Sequence, residues 1–383
     1  MAEESQKLIV ARTAVVILNW NGRSFLERFL PGLLASIHSP EDEVIVADNA
    51  STDGSMEMMA ERFPQVRTMV FSRNFGFTGG YNMAFERISC RYFLLLNSDI
   101  EVPDNWLGPL VRWMDTHPDC GICAPKLHSW QEKDMFEYAG AAGGYIDSLG
   151  YPFCRGRVMK KLERDTGQYD TPADVFWVTG ACLMTRSSLW KQLGGLDARF
   201  FAHMEEIDFC WRAQLAGYKV TVVPESTVWH IGGGTLPQNS PWKLYLNFRN
   251  NLLMLDNNLA ATYYAELCRK DRTALPESGK LSQQDGRPLM KIHRQARRKA
   301  ARLIFFRMIL DGCSAAVYLV TFRWKYFMSV VKAHRDFRKL RTEKPNTGED
   351  MTHALTALPH VRGIYRGWMI PRAILGISIG GKE

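Results

Sequence analysis

Residues 13–22 read TAVVILNWNG. Apolar, largely β-branched residues run into Asn19, Trp20, Asn21 and Gly22, the pattern of a strand that ends in a turn. Just downstream, Phe25, Phe29, Leu33, Leu34 and Ile37 recur at the spacing of one helical face. A second short strand is expected over residues 43–47, so the chain opens as β-α-β. The alternation continues with a helix over 55–63, a strand near 66–71, a helix after Gly80 and the apolar strand YFLLL at 92–96. Strands this uniformly apolar are buried on both faces, which implies an α/β fold with a mixed, mostly parallel sheet flanked by helices.

In such sheets ligands bind beyond the carboxyl ends of the strands. The polar clusters of this sequence fall at those ends: Asn19-Trp20-Asn21, Asp48-Asn49, Arg73-Asn74 and Asn97-Ser98-Asp99. Each taken alone is also an ordinary turn. Beyond about residue 120 the alternation is less regular, and the Gly- and aromatic-rich stretch 139–153 is expected to be a flexible, acceptor-facing loop. Order resumes at 175–184. A helix over 204–216, closed by Gly217, presents Met204, Ile207, Trp211 and Leu215 as a core-facing stripe. A strand at 219–223 then leads to Trp229-His230.

The 383 residues are 46% hydrophobic, enough for one large domain plus an extension. No apolar segment of a secretory signal precedes the first strand, so a cytoplasmic chain is expected. The eight cysteines are scattered among apolar neighbours and read as reduced core residues; Cys120 and Cys123 form one C-x-x-C with no partner set for zinc. The net charge of +8 is concentrated: residues 291–341 hold fourteen Lys and Arg against two acids, Asp311 and Asp336. Such a segment suits a polyanionic surface, either nucleic acid or anionic headgroups. No nucleic-acid-binding motif accompanies it, so no nucleic-acid partner is expected. The absence of G-x-G-x-x-G after the first strand argues against a dinucleotide-dependent dehydrogenase.

Read in order, seven blocks resemble the family-2 glycosyltransferases of GT-A fold, and especially their rhamnosyltransferase-like branch. They are VVILNWNG (15–22), VADNASTDGS (46–55), RNFGFTGGYN (73–82), LLLNSDIEV (94–102), VTGACLMTR (178–186), GGLDARFFAHMEEIDFCWRAQLAGYKV (194–220) and VWHIGG (228–233). The likeness covers roughly residues 11–259. It implies a Rossmann-like nucleotide-binding half and an inverting, metal-dependent transfer of a sugar from a nucleotide-diphosphate donor, dTDP-rhamnose or a UDP-sugar, to a glycan acceptor, lipid-linked in bacterial surface-polysaccharide synthesis. The alternative is a non-catalytic nucleotide-sugar or glycan-binding module, to which the departure at Asn97 points.

The resemblance also implies roles. Displacing a nucleoside diphosphate builds negative charge that a divalent cation stabilises. Asp99 matches the family's metal-binding aspartate, with Mg2+ or Mn2+ the ions expected and His230 a second metal or phosphate contact. Asn97 stands where the family's D-x-D pattern has its first acid, and its amide can bond ribose or phosphate. Asn19 and Trp20 at the first strand end, with Asp48, are expected to hold the nucleotide, Trp20 by stacking on the base. Arg73 is placed for base or phosphates and Asn82 for a further donor contact. The acceptor hydroxyl needs a general base. By position that is Glu206, with Glu205 in support, and the register Glu205 remains open because the family usually reads Glu-Asp there. Asp208 and Arg212, four apart on the helix, are expected to be a structural salt bridge.

The expected domains are residues 1–265 for the GT-A unit, 266–341 for a basic helical extension and 342–383 for a partly disordered tail. Residues 303–322 are about long enough to span a bilayer but are interrupted by Arg307 and Asp311. Amphipathic helices on an anionic membrane, peripheral to the inner face of the plasma membrane, are therefore preferred, against helices that cover the enzyme or mediate self-association.

Overall fold

A computed structural model describes residues 11–158, 161–232, 240–270, 286–343, 345 and 359–369. The β-α alternation gives β1 (Ala11–Asn19), α1 (Arg23–Ala35), β2 (Asp42–Asp48), α2 (Ser55–Arg62), β3 (Arg67–Val70), α3 (Gly76–Phe85) and β4 (Cys90–Leu96). The helix expected after Gly80 starts earlier, at Gly76. These four strands are parallel and lie in the order β4-β1-β2-β3. Successive side chains of a strand face opposite ways. Ala14 and Val16 thus pack with Tyr81, Ala84 and Phe85 of α3, whereas Val15 and Ile17 pack with Leu26, Leu30 and Leu33 of α1.

The chain continues through β5 (Ile100–Glu101), α4 (Leu107–Thr116), β6 (Cys120–Ser129), β7 (Gly144–Asp147), β8 (Pro152–Cys154), β9 (Arg157–Val158), β10 (Lys161–Leu162) and β11 (Ala173–Asp174). Then come β12 (Cys182–Arg186), α5 (Ser187–Gln192), α6 (Glu205–Leu215) and β13 (Lys219–His230). β12 is antiparallel to both β4 and β6, and β13 is parallel to β6. β6 and β13 therefore run in the direction of β4, and His230 reaches the same rim as the ends of β1 to β4. The strand expected to stop at Val223 runs on to His230 through a register shift between Val222 and Thr227. The stretch expected to be a flexible loop contains the paired strands β7 and β8 instead.

Three helices follow: α7 (Pro241–Lys270), α8 (Gly286–Val320) and α9 (Trp324–Leu340). Leu252 to Leu255 of α7, Ala300 and Ile304 of α8 and Phe337 of α9 belong to the same core as Ala14 and Val16. The boundary expected at residue 265 falls inside α7. By length and composition the segment Leu289–Val320 could cross a membrane, yet it lies along α7. β14 (Ile364–Tyr365) pairs in parallel with β7 and completes a second sheet, β10-β9-β8-β7-β14. Of the tail expected to be partly disordered, 342–383, residues 344, 346–358 and 370–383 lie outside the described residues.

Candidate active site

The ends of β1 and β2 are tied by side chains. Asn19, fully buried, donates through Nδ2 to Asp48 Oδ1 at 2.9 Å and to Ser51 Oγ at 3.0 Å, while its Oδ1 has no hydrogen-bond partner. A Cβ at Gly22 would sit 2.5 Å from that Oδ1 and 3.2 Å from Ser98 Oγ, so only glycine lets the turn after β1 close against the end of β4. Trp20 stands at this rim, 44% exposed. Asn49 binds Asn74 Oδ1 and the Gly76 carbonyl, and its Oδ1 accepts from the Phe75 amide. Arg73 lies 4.8 Å from the Phe75 ring centre. Asn82 is not brought to this rim as a donor contact. Its Nδ2 donates to the Leu196 carbonyl at 2.7 Å and its Oδ1 accepts from the Leu196 amide at 2.9 Å, so the whole amide holds the segment after α5.

At the end of β4 the backbone amide of Asn97 donates to the Ala181 carbonyl, and the Asp99 carbonyl accepts from Ile231. Asp99 Oδ1 lies 3.1 Å from His230 Nε2, which is also 3.4 Å from Asn97 Nδ2. The other ring nitrogen, Nδ1, is 3.5 Å from Oε1 of buried Glu137. Burial opposes charge on His230, but Asp99 and Glu137 outweigh it and raise its pKa to about 10. Burial likewise opposes the Asp99 carboxylate, and His230 outweighs it to leave the group below its ordinary value.

Among the described residues no three His, Cys, Asp or Glu side chains are grouped as metal ligands. Asp99 would nonetheless fit, together with His230 once binding releases its Nε2 proton, a divalent ion that takes most of its ligands from water and diphosphate oxygens. Glu137, 3.5 Å from the far imidazole nitrogen, would be the outer carboxylate that orients His230 as a ligand. Sequence reasoning missed Glu137, because it follows β6 in the irregular region and carries no strand-end signal.

The carboxylates of α6 rest on an unusual approach. Phe201, His203 and Met204 all have positive φ, of 66°, 68° and 73°. Such conformations cost about 1–3 kcal/mol each for residues with side chains and persist only where neighbours enforce them. The enforcing groups come from α7. Asn250 Nδ2 donates to the carbonyls of Phe200, Ala202 and His203, and Arg249 Nη2 to those of Arg199 and Phe200. From α3, the amides of Phe77 and Thr78 donate to the Phe201 carbonyl. Asn250 and Arg249 were also missed; their signal is the polar run Arg249-Asn250-Asn251 set directly before the apolar run Leu252–Leu255 of α7.

Glu205 and Glu206 open α6 from this clamp. Glu205 is buried and its Oε2 has no partner; Glu206 is half-buried, but its Oε2 is likewise sealed and unpartnered. The Cβ of Glu206 lies 3.5 Å from a Cβ built at Gly180, just before β12 and beside the Ala181 carbonyl that anchors Asn97. Burial, then the charge of Glu206, pushes Glu205 well above the ordinary carboxylate range. Burial also lifts Glu206, to about 7, against hydrogen bonds from backbone amides.

α6 is buried on nearly every side, and Met204 caps it rather than lying within it. Asp208 and Arg212, expected as a helix-holding pair, are fully buried and bonded at 2.7 Å. Arg212 also donates to the Leu193 and Gly195 carbonyls, and Asp208 accepts from Asn257 and Asn258 of α7.

Residues 14–193 match the profile of glycosyl transferase family 2. The N-acetylglucosaminyl-diphospho-decaprenol L-rhamnosyltransferase of Mycobacterium tuberculosis is 27% identical over 234 residues, 56% of this chain and 75% of that protein. The rhamnosyltransferase WbbL of Escherichia coli is 25% identical over 135 residues, 35% of this chain and 49% of its own length. Among solved structures, GalNAc-T7 with UDP, GalNAc and Mn2+ aligns with a TM-score of 0.51 at 17% identity, over 74% of this chain and 55% of that one. That likeness speaks for the fold, which is GT-A.

Proposed function

We propose that this chain, a family-2 glycosyltransferase of the rhamnosyltransferase-like type, transfers a hexose from a nucleotide-diphosphate donor, dTDP-rhamnose or a UDP-sugar, to a lipid-linked glycan at the cytoplasmic face of a membrane. The names of its relatives support the acceptor class, and the rim of strand ends supports the donor class. In this reading the exposed ring of Trp20 stacks on the base. Asp48, held by Asn19, accepts from the base or the ribose hydroxyls. Asn97 bonds ribose or phosphate oxygens, and Arg73 the base or the phosphates. Asn82 takes no part, since its amide is spent on Leu196.

The carrying observation is Glu206: a carboxyl whose pKa is pushed up to about 7, with an unpartnered oxygen, its Cβ 3.5 Å from a Cβ built at Gly180, beside the Ala181 carbonyl that anchors Asn97. A base works best when its pKa lies near the working pH. Burial and the charge of Glu206 also push Glu205 well above the ordinary carboxylate range, and in this reading Glu206 is the one that ionises. Glu206 takes the acceptor's proton as its oxygen attacks the anomeric carbon opposite the diphosphate. The bond from that carbon to the phosphate oxygen breaks, its electron pair leaves with the nucleoside diphosphate, and the configuration inverts. Mg2+ or Mn2+ held by Asp99 and His230 would supply positive charge to the leaving diphosphate.

Calorimetric titration of UDP-, dTDP- and GDP-sugars, with Mn2+ and with chelator, tests the reading. Cation-dependent binding of one donor is expected. Binding of none, with no transfer to a polyprenyl-diphosphate sugar, would overturn it.

A further inference from the structure

Between Phe305 and Val320, α8 reverses the usual division of side chains between inside and outside. Its two charges point inward. Arg307 is 2% exposed, donates to the Leu149 carbonyl at 3.0 Å and lies 3.6 Å from the Tyr151 ring centre. Asp311 is 3.4 Å from Arg307 and 3.3 Å from His334 of α9. The face left to solvent is apolar: Phe305 is 67% exposed and Val320 71%, with Ile309 and Val317 between them. The turn into α9 continues the band with Phe322 and Trp324. Exposed cations bracket it, Arg298, Lys299 and Arg302 before it and Arg323, Lys325 and Lys332 after it.

An apolar band of this kind marks a contact surface. The bracketing charge selects its occupant. A second copy laid along the band, parallel or antiparallel, would set cation cluster against cation cluster, whereas anionic headgroups neutralise both ends. Insertion across a bilayer is excluded by the packing of Ala300 and Ile304 in the core and of Arg307 on Leu149. The band also sits at the site's end of the molecule. Ser329 Oγ near the start of α9 donates to the Pro241 carbonyl at the start of α7, the helix whose Arg249 and Asn250 clamp the approach to Glu205 and Glu206.

We propose that the free face of the α8–α9 hairpin, from Phe305 to Trp324, lies in the headgroup layer of an anionic bilayer and turns the mouth of the site toward that surface. The proposal rests on the sugar-transfer reading for what the membrane delivers, but not for the contact itself. Cys313 provides the probe, being the one exposed cysteine of eight and lying within the band. The full chain, labelled there with an environment-sensitive fluorophore, is mixed with phosphatidylcholine vesicles and with vesicles containing about one third phosphatidylglycerol. A blue shift, and quenching by nitroxides on the upper acyl chain, are expected with the anionic vesicles. V317D/V320D, altered at two exposed positions, should lower the vesicle-bound fraction about tenfold while keeping its melting temperature and its turnover of a short water-soluble acceptor.

Equal vesicle binding by the double variant and the parent would overturn the proposal. So would a parent dimer that ignores vesicles and becomes monomeric in the variant. Because no sugar nucleotide is present, loss of vesicle binding leaves the transfer reading standing, and vesicle binding without any transfer counts against that reading alone.

Discussion

Burial pushes both Glu205 and Glu206 toward the protonated form, and the proposed base is Glu206. Removing the proton acceptor with Glu206→Gln should cut turnover by about 10²–10⁴-fold, with calorimetric donor affinity unchanged; Glu205→Gln should leave most of the turnover. The rate with the parent chain should rise as pH passes about 7 and level off above it, since only the ionised Glu206 accepts a proton. Stability runs the opposite way. A carboxyl raised above its unfolded value contributes fully below pH 4.5, and its contribution is lost as pH rises through about 7. Urea titrations of the parent at pH 5 and pH 8 should show that loss, and Glu206→Gln should diminish it. Asp99, His230, Asp48 and the glutamate pair were legible in the sequence because each sits at the end of a strand or the start of a helix inside a recognisable block. Glu137 was not, since its pairing with His230 joins distant parts of the chain through no local pattern.

α6 shows what periodicity can and cannot tell. The apolar stripe Ile207, Trp211 and Leu215 is buried as its spacing implies. Its polar face is buried too, because α7 lies over it and meets Asp208 with Asn257 and Asn258. The i,i+4 pair is therefore no surface ornament of a few tenths of a kcal/mol. Arg212→Leu leaves the buried Asp208 carboxylate with the amides of Asn257 and Asn258 but no counter-charge, and should cost about 3–5 kcal/mol in a urea titration. A second consequence belongs to the clamp between α7 and the approach to α6. Asn250→Ala frees three carbonyls of the strained turn. It should lower kcat on the order of tenfold to a hundredfold, by misplacing Glu206, with donor KM little changed when measured below the melting transition. No spacing rule reaches such a contact, for Asn250 meets residues that precede it by some fifty positions.

On the scale of the whole molecule, the parallel half-sheet and its helices could be read directly, since β1, β2 and β4 are each marked by an apolar run. The second sheet and the place of α7 to α9 could not. Strands β7 to β10 are two to four residues long, and the three helices share a core with β1 rather than forming an appendage. One pairing also orders events in time. β14 meets β7, Met369 donates to Asp147 Oδ2, and Ser148 Oγ donates to the Gly367 carbonyl, across more than two hundred residues of chain. A ribosome delivers Gly144–Asp147 long before Ile364–Tyr365 exists, so during synthesis β7 waits with an open edge, the kind of edge that recruits stray strands. The nascent chain should thus need chaperone cover at this edge after the parallel half-sheet has been synthesised, and contacts of such long range should make its closure the slow part of folding.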